Sequence, residues 1–191
     1  MNKLEENKIG LNLLDISGEI LLELLEGVST HASKDKSLRA LNAVEIEGEG
    51  GLLVARATDR YRLIEGSTRS LEGQIDKALI SLEDIKRIIT LVKAHKAHLV
   101  SLSRIGDSLT VSSLGDSVTF TLIDANYPLM EDLFIKSEGG LAPVDSISLN
   151  PSFLADYAKI AGKREAVKIS FTGENKPMVI ELPFNNIKWR A

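Results

Sequence analysis

The sequence repeats one order of predicted secondary-structure elements three times, and this repeat limits the fold more than any single motif does. Each repeat begins with a short strand, continues with one amphipathic helix and ends with two or three strands. Strands are predicted where apolar and polar residues alternate, and helices where apolar residues recur every three or four positions. The pattern therefore predicts an α+β fold built from three βαβββ units.

The predicted boundaries follow from this periodicity and from turn residues between the strands. The first repeat comprises strand Leu11–Ile16, helix Ser17–Ser29 and strands Arg39–Gly48, Leu52–Ala57 and Tyr61–Glu65. The second repeat comprises strand Lys77–Ile80, helix Leu82–Ala94 and strands Leu99–Arg104, Ser108–Ser113 and Ser117–Ile123. The third repeat comprises strand Ser146–Leu149, helix Pro151–Ala161 and strands Ala166–Phe171, Met178–Leu182 and Asn185–Trp189.

The predicted helices carry start signals. Ser81 followed by Asp84 resembles a capping box, with Asp at the position that Glu or Gln usually takes. Asn150 before Pro151 places a good N-cap residue ahead of a proline at the first helical position. Ser17 can cap the first helix in the same way. These signals support helices in all three repeats.

One segment between the second and third repeats has the composition of a linker. Lys136–Asp145, KSEGGLAPVD, contains two glycines, a proline and few apolar residues. It divides the chain into a predicted two-unit domain, residues 1–135, a linker, residues 136–145, and a predicted half-domain of one unit, residues 146–191.

The composition indicates a soluble intracellular protein. The chain has 191 residues, of which 43% are hydrophobic and 26% charged, and it has no cysteine. Disulfides and thiolate metal sites are therefore excluded. The start of the sequence, MNKLEENKIG, lacks the apolar stretch of a signal peptide, and no run approaches the ~18 apolar residues of a membrane span. Because the net charge is −4, any contact with nucleic acid must be local.

The stretch VARATDRYRLIEG, residues 54–66, places a polar cluster between two apolar runs. Two strands joined by a tight turn explain the alternation. They do not explain why the turn carries Asp59 beside two arginines and a tyrosine. Asp59 alone could act as an acid, but a structural ion pair with its arginine neighbours explains it more simply.

Four segments of the sequence together resemble the bacterial-type DNA polymerase sliding clamps, the DNA polymerase III beta subunits. They are Leu41–Val44, Ala57–Leu63 (ATDRYRL), Leu122–Pro128 (LIDANYP) and Leu149–Leu154 (LNPSFL). They match, in order, the central domain of that family and the second half of its final domain. The chain departs from the family where Arg60-Tyr61 replaces Gly-His, and where Ile187–Ala191 replaces Met-Pro-Met-Arg-Leu. An N-terminal domain has no counterpart, and such a shortened clamp is consistent with a phage source.

The resemblance implies a DNA-clamp fold and a function in DNA replication, in the bacterial cytoplasm or in a phage host's cytoplasm. It also implies a hydrophobic groove that binds short peptide motifs of a DNA polymerase and a clamp loader. An apolar groove with aromatic anchors and a flanking arginine suits such a ligand. The residues carried over to this groove are Thr58, Tyr61, Arg62, Leu63, Leu133, Phe134, Ile187, Trp189 and Arg190. The alternative is that Thr58–Arg60 is only a turn and that Leu63 and Phe134 are core residues.

Clamps of this family encircle double-stranded DNA without reading its sequence, so their helices need basic side chains opposite the apolar stripe. The second predicted helix and its C-terminal flank meet this requirement, and the third meets it at its end. The first helix carries instead an acidic stripe of Glu19, Glu23 and Glu26. The predicted DNA-binding residues are Lys86, Arg87, Lys93, Lys96, Lys159, Lys163 and Arg164. The alternative is an ordinary solvated helix surface.

The number of repeats predicts how the chain would assemble. Clamp rings contain twelve βαβ units, so four copies of a three-unit chain would close a ring. The odd third unit would pair with its equivalent in a neighbour, which gives a D2 tetramer. A trimer becomes the better prediction if the chain contains a further, unrecognised unit.

Two other functions remain open at this stage. An enzyme is disfavoured because no nucleophile–base pair or phosphate-binding loop is found, and no cofactor is implied. His95 and His98 lack the further ligands of a metal site. The second alternative is an adaptor that presents the peptide groove without encircling DNA. Its mass in solution would be that of a monomer or a simple dimer.

Overall fold

A computed structural model describes residues 12–128, 148–161, 166–171, 173, 176–182 and 186–191. The helices are α1 (Gly18–Ser29), α2 (Leu82–Ala94), α3 (Ser152–Ala155) and α4 (Tyr157–Ala161). The strands are β1 (Leu13–Ser17), β2 (Ala43–Glu49), β3 (Leu52–Thr58), β4 (Leu63–Arg69), β5 (Glu72–Gly73), β6 (Ile75–Ser81), β7 (Leu99–Ile105), β8 (Ser108–Ser113), β9 (Asp116–Thr121), β10 (Lys168–Phe171), β11 (Met178–Glu181) and β12 (Lys188–Arg190).

The strands form two antiparallel sheets. The five-stranded sheet has the order β5-β1-β7-β8-β9, and the seven-stranded sheet has the order β10-β11-β12-β4-β3-β2-β6. The last three strands of the chain join the larger sheet where β12 pairs with β4, so that Trp189 lies opposite Gly66. The first and third repeats therefore share one continuous sheet.

Helices α1 and α2 lie side by side, and strands of both sheets contact them. Their apolar stripes face the sheets, and Leu21, Leu24, Ile85 and Ile88 are at most 1% exposed. Burying an aliphatic side chain of this size stabilises the fold by about 1.5–3 kcal/mol. Helix–sheet packing therefore supplies the core and leaves the opposite helix faces to solvent.

The predicted elements of the first two repeats are confirmed to within a few residues. Ser81 caps α2, because its Oγ accepts a hydrogen bond from the Asp84 backbone N–H at 3.0 Å and donates to Asp84 Oδ2 at 2.7 Å. Ser17 precedes α1 but makes no side-chain cap hydrogen bond. The two-residue strand β5 was not predicted, since Glu72 and Gly73 carry no alternation.

The third repeat differs from its prediction in two places. Of the predicted strand Ser146–Leu149, only Ser148 and Leu149 are described, and they are not in a strand. The predicted helix Pro151–Ala161 is two short helices that meet at Asp156. Asn150 Oδ1 accepts from the backbone N–H of Ser152 at 3.0 Å, so the predicted cap residue does act at this start. The predicted linker and both domain boundaries lie outside the described residues.

Charged side chains form a ladder on the face of the larger sheet that points away from α1. Arg56 on β3 binds Glu45 on β2 at 3.3 Å and Glu65 on β4 at 2.8 Å. Arg190 on β12 binds the same Glu65 at 2.7 Å. Burial raises the pKa of Glu65. Hydrogen bonds from Arg190 and Arg56 outweigh this effect and hold that pKa below its ordinary value. The ladder therefore ties the third repeat to the first.

Candidate functional site

The polar cluster of residues 58–62 is the turn between β3 and β4. Asp59 Oδ1 accepts hydrogen bonds from the backbone N–H groups of Tyr61 at 3.0 Å and Arg62 at 2.9 Å. The Thr58 hydroxyl donates to the Arg62 carbonyl at 2.7 Å and accepts from the Arg60 N–H at 3.3 Å. The side chains of Thr58 and Asp59 therefore fix the shape of this turn.

Arg62 joins the turn to the third repeat. Its guanidinium donates to Asp59 Oδ2 at 2.9 and 3.1 Å and to Asp156 Oδ2 at 2.7 Å. It also lies over the ring of Phe153, with 5.0 Å between the guanidinium carbon and the ring centroid. Burial raises the pKa of Asp156, but hydrogen bonds from Lys159 and Arg62 outweigh this effect and lower that pKa below its ordinary value. Asp59 is thus a structural ion-pair partner.

A groove with a cavity volume of about 300 Å³ opens beside this turn. Its walls come from the turn, from α3 and α4, from β11 and from the last residue of the chain. Most of the lining side chains are apolar. They are Thr58, Arg60, Tyr61, Arg62, Leu63, Phe153, Tyr157, Pro177, Met178, Val179, Ile180 and Ala191.

The structure brings four of the nine predicted groove residues together in this groove: Thr58, Tyr61, Arg62 and Leu63. Tyr61 is 83% exposed at the mouth. Two further predicted residues, Leu133 and Phe134, lie outside the described residues.

The other three predicted groove residues, Ile187, Trp189 and Arg190, do not line the groove. Ile187 is 0% and Trp189 is 4% exposed, because both side chains point from the sheet into the core. A Cβ built at Gly27 would lie 2.3 Å from Trp189 Cη2, which shows how closely the indole approaches α1. Arg190 points to the opposite face and binds Glu65. The sequence prediction therefore assigned residues from both faces of the sheet at β12 to a single wall of the groove.

Sequence reasoning missed more than half of the groove lining. Phe153 and Tyr157 are four residues apart, a spacing that places two aromatic rings on one side of a helical segment. That spacing is the signal that could have found them. Pro177–Ile180 matches a Pro-x-x-Ile strand of the sliding-clamp family, but its place in the groove depends on the pairing of β11 with β12. Ala191 reaches the groove because its backbone exchanges hydrogen bonds with Ile180 at 2.8 and 3.1 Å.

A buried histidine lies behind the turn. The His31 ring is 0% exposed and packs against the Tyr157 ring, with 5.1 Å between the centroids. Its Nδ1 is 2.8 Å from Thr30 Oγ1, and Nε2 has no hydrogen-bond partner. Burial, with a smaller contribution from the Arg62 charge, lowers the pKa of His31 to about 4. The ring is therefore a neutral part of the packing at neutral pH.

The basic residues predicted on the second helix and its flank, Lys86, Arg87, Lys93 and Lys96, are all exposed. Arg87 binds Asp84 at 3.1 Å, and Lys93 binds Glu26 of α1 at 2.6 Å. Lys86 and Lys96 make no ion pair with any described residue. Two of the four charges are thus partly neutralised within the helix layer.

The helix layer as a whole carries more acid than base. Within the bounds of α1 and α2 there are five carboxylates and three basic side chains, a net charge of −2. In the third repeat, Lys159 is exposed and binds Asp156 at 2.7 Å. The predicted Lys163 and Arg164 lie outside the described residues.

Comparison with known proteins gives one curated relative and many related structures. No protein-family model matches the chain. The beta sliding clamp of Micrococcus luteus is 28% identical over 160 residues, which cover 82% of this chain and 51% of that protein. The DNA polymerase III beta subunit of Thermotoga maritima superposes with a TM-score of 0.78 at 16% identity, and the match covers all of this chain and 67% of that one. The DNA polymerase sliding clamp of Bacillus subtilis gives 0.75 at 16% identity, covering all of this chain and 65% of that one.

This chain has the DNA-clamp fold. The fold predicted from the sequence resemblance is therefore confirmed, and the resemblance to DNA polymerase III beta subunits extends from short motifs to the whole architecture. The clamp-fold chain spans about half the length of the curated relative that it matches.

Two further features bear on chemistry in this clamp-fold chain. In the part of the chain that the structure describes, no group of three or more His, Asp or Glu side chains could hold a metal ion. Within the same ranges, no helix has the length and apolar character needed to cross a bilayer.

Proposed function

We propose that this chain acts as a DNA sliding clamp. In this proposal an oligomeric ring encircles duplex DNA without sequence specificity. It tethers a DNA polymerase and other replication proteins through the groove beside the β3–β4 turn. The chain contributes no catalysis. The single observation that carries the proposal is this apolar groove, at the position that the sequence resemblance implied, on a chain with the clamp fold.

The groove suits a short peptide with apolar anchors. Its volume of about 300 Å³ lies at the small end of the range for ligand sites, which suits a few side chains better than a large cofactor. Leu63, Met178 and Val179 offer aliphatic contact, and Phe153 and Tyr157 offer aromatic contact. Because Arg62 is held by two carboxylates, it supports one wall of the groove rather than binding a ligand.

The DNA contact in this proposal is weak and unspecific. Lys86 and Lys96 provide the charges that no described residue neutralises, and Arg87 and Lys93 can exchange their carboxylate partners for phosphates. Such contacts hold the backbone of DNA without reading bases, so they permit sliding. The carboxylates of α1 oppose tight binding.

The ring in this proposal contains four chains arranged as a D2 tetramer, with three chains as the alternative. An isologous contact between the third repeats of two chains would pair this odd repeat with its equivalent in a neighbour. The clamp loader and the polymerase would both use the groove. The protein would work in the cytoplasm of a bacterium, or of a phage's host.

One observation favours a second candidate, an adaptor that binds peptides but does not encircle DNA. Glu19, Glu23 and Glu26 form an acidic stripe on α1, on the helix layer that would face DNA. Burial, together with the neighbouring charge of Glu19, raises the pKa of Glu23. An acidic helix layer disfavours contact with phosphates but leaves the groove intact.

The groove is tested by fluorescence polarisation with labelled peptides from the termini of the cognate replicative polymerase. Met178→Glu places a charge in the apolar wall and should weaken binding by at least tenfold. Ile105→Glu is the matched control, because Ile105 is 81% exposed at the end of β7, away from the groove. Equal binding by wild type and both variants would contradict the proposed groove.

A further inference from the structure

Arg60, at the mouth of the groove, has an unusual backbone conformation. Its φ angle is 82°, and only one other described non-glycine residue, Leu114, has a positive φ. The left-handed region is disfavoured for side chains with a Cβ, and glycine or asparagine occupies it at lower cost. An arginine at this position therefore costs backbone strain that a glycine would avoid.

The hydrogen bonds of the turn do not explain why residue 60 is an arginine. Hydrogen bonds from Thr58 and Asp59 fix the backbone on both sides of residue 60, as described above. These bonds use the backbone of residue 60 and not its side chain. Any residue at this position would be held in the same conformation, and glycine would fit it best.

The Arg60 side chain is exposed and lines the groove beside Tyr61 and Leu63. Among the described residues, its guanidinium has no hydrogen bond or ion pair. Hydrogen bonds from Ser37 lower the pKa of the nearby Asp35, with a smaller contribution from the Arg60 charge. Asp35 Oδ1 accepts from the Ser37 backbone N–H at 2.9 Å and from its hydroxyl at 2.7 Å. Arg60 thus places a free cation at the rim of an apolar groove.

We infer that Arg60 determines the specificity of the groove, which selects apolar peptides that carry Asp or Glu beside the anchor residues. An arginine can bind a carboxylate through two parallel hydrogen bonds, which adds direction to the attraction. Arg62 cannot take this role, because Asp59 and Asp156 already occupy its guanidinium. The inference rests on the proposed function of the groove and names the chemistry of its ligand.

The test is a selection from a phage-displayed library of random hexapeptides, carried out on the wild-type chain and on three variants. Arg60→Asn removes the charge and suits the left-handed backbone, whereas Arg60→Lys keeps the charge. Met178→Glu blocks the groove and identifies the peptides that bind there. One enriched acidic peptide and its counterpart with Gln in place of the acid are then labelled with fluorescein and titrated.

We expect the wild-type chain to enrich Asp or Glu next to apolar anchors. It should bind the acidic peptide about two- to fivefold more tightly than its Gln counterpart, the range of a partly exposed ion pair. The ratio should stay above one but decrease in Arg60→Lys, which keeps the charge without the two parallel hydrogen bonds. It should fall to about one in Arg60→Asn, and it should decrease in the wild type as salt is added.

Two results would overturn the inference, and they can be told apart. In the first, Met178→Glu abolishes the selection, but the wild-type chain binds the acidic peptide and its Gln counterpart equally, or Arg60→Asn leaves their ratio unchanged. The groove then binds peptides, and Arg60 does not set their specificity. If no enriched peptide depends on the groove, the proposed function fails and the inference fails with it. Thermal unfolding of each variant checks that the fold is retained.

Discussion

Arg62 is the residue whose contacts connect the β3–β4 turn to the third repeat. Its side chain is 14% exposed, and its partners Asp59 and Asp156 are 18% and 20% exposed. Removing the Asp156 carboxylate would leave one side of a largely buried guanidinium without a partner. Arg62 therefore stabilises the groove wall.

For Asp156→Ala, we expect a loss of about 1.5–3 kcal/mol in the free energy of unfolding, the size of a hydrogen bond to a charged group. Urea denaturation followed by circular dichroism measures it. The matched control is Lys159→Ala, which removes the exposed partner of the same carboxylate and should have little effect. Equal losses in the two variants would show that the Arg62–Asp156 pair is not the stabilising contact.

His31 predicts how stability changes with pH. Its pKa of about 4 in the folded chain lies below its ordinary value of 6.5, so the unfolded chain binds the proton more tightly. Stability should be highest above pH 6.5 and should fall as the pH drops towards 4, by about 3 kcal/mol in total. Below pH 4 this contribution no longer changes.

The measurement is the free energy of unfolding of wild type and His31→Phe at several pH values between 4 and 7. His31→Phe should lose most of the slope in this window, because His31 is the histidine that is 0% exposed. His98 is exposed, and His95 is half-buried beside Asp116. His98→Gln serves as the control and should keep the slope. A wild-type slope that persists in His31→Phe would assign the pH dependence to other groups.

At the scale of the elements, the close approach of β12 to α1 predicts a glycine requirement. Replacing Gly27 by alanine would raise the free energy of unfolding by about 1 kcal/mol from helix propensity alone. A Cβ there, however, would lie 2.3 Å from Trp189 Cη2, so we expect a net destabilisation of about 1–3 kcal/mol. The penalty should shrink in the Trp189→Leu background, measured as a double-mutant cycle by urea denaturation. An increase in stability for Gly27→Ala alone would contradict this packing.

The helix layer predicts a charge effect on DNA binding. Lys86→Glu combined with Lys96→Glu should weaken binding to duplex DNA and reduce the slope of log K against log salt by about 2. Lys188→Glu is the control, since Lys188 is exposed on β12 and Trp189, the next residue, points to α1. Lys188 therefore lies on the sheet face opposite the helices. An equal effect of both changes, measured by fluorescence anisotropy with labelled duplex DNA, would contradict a helix-face contact.

The elements were predictable because their signals are local. Alternation, helical spacing and the Ser81–Asp84 cap lie within a few residues of each other, and they predicted β2–β4 and β7–β9. The break at Asp156 was not predictable, because the segment Pro151–Ala161 contains no internal glycine or proline. The contact made at this position, with Arg62, joins residues 94 positions apart. The Lys93–Glu26 pair likewise depends on the packing of α1 against α2.

The site was predictable only in part for the same reason. The turn residues Thr58–Leu63 are contiguous, so a motif could identify them. The opposite wall comes from α3, α4 and β11, which reach the groove through tertiary contacts. Ile187 and Trp189 were misplaced because a three-residue strand, β12, gives too short an alternation to show which face points inward.

At the scale of the whole molecule, the larger sheet continues from the first repeat into the third through β12 and β4. The described strands of the third repeat are therefore additional strands on the sheet that holds the first repeat. In the proposed ring, the third repeat meets its equivalent in a neighbouring chain. The third repeat would then form the contact between neighbouring chains.

The most direct test of the proposed clamp is the native mass by light scattering over a dilution series. One chain has a mass of 20.8 kDa. We expect a species of about four chains that persists on dilution, because a closed ring must survive at low concentration to remain on DNA. Three chains would keep the clamp but replace the tetramer. A monomer at all concentrations would contradict the ring and leave a peptide-binding adaptor.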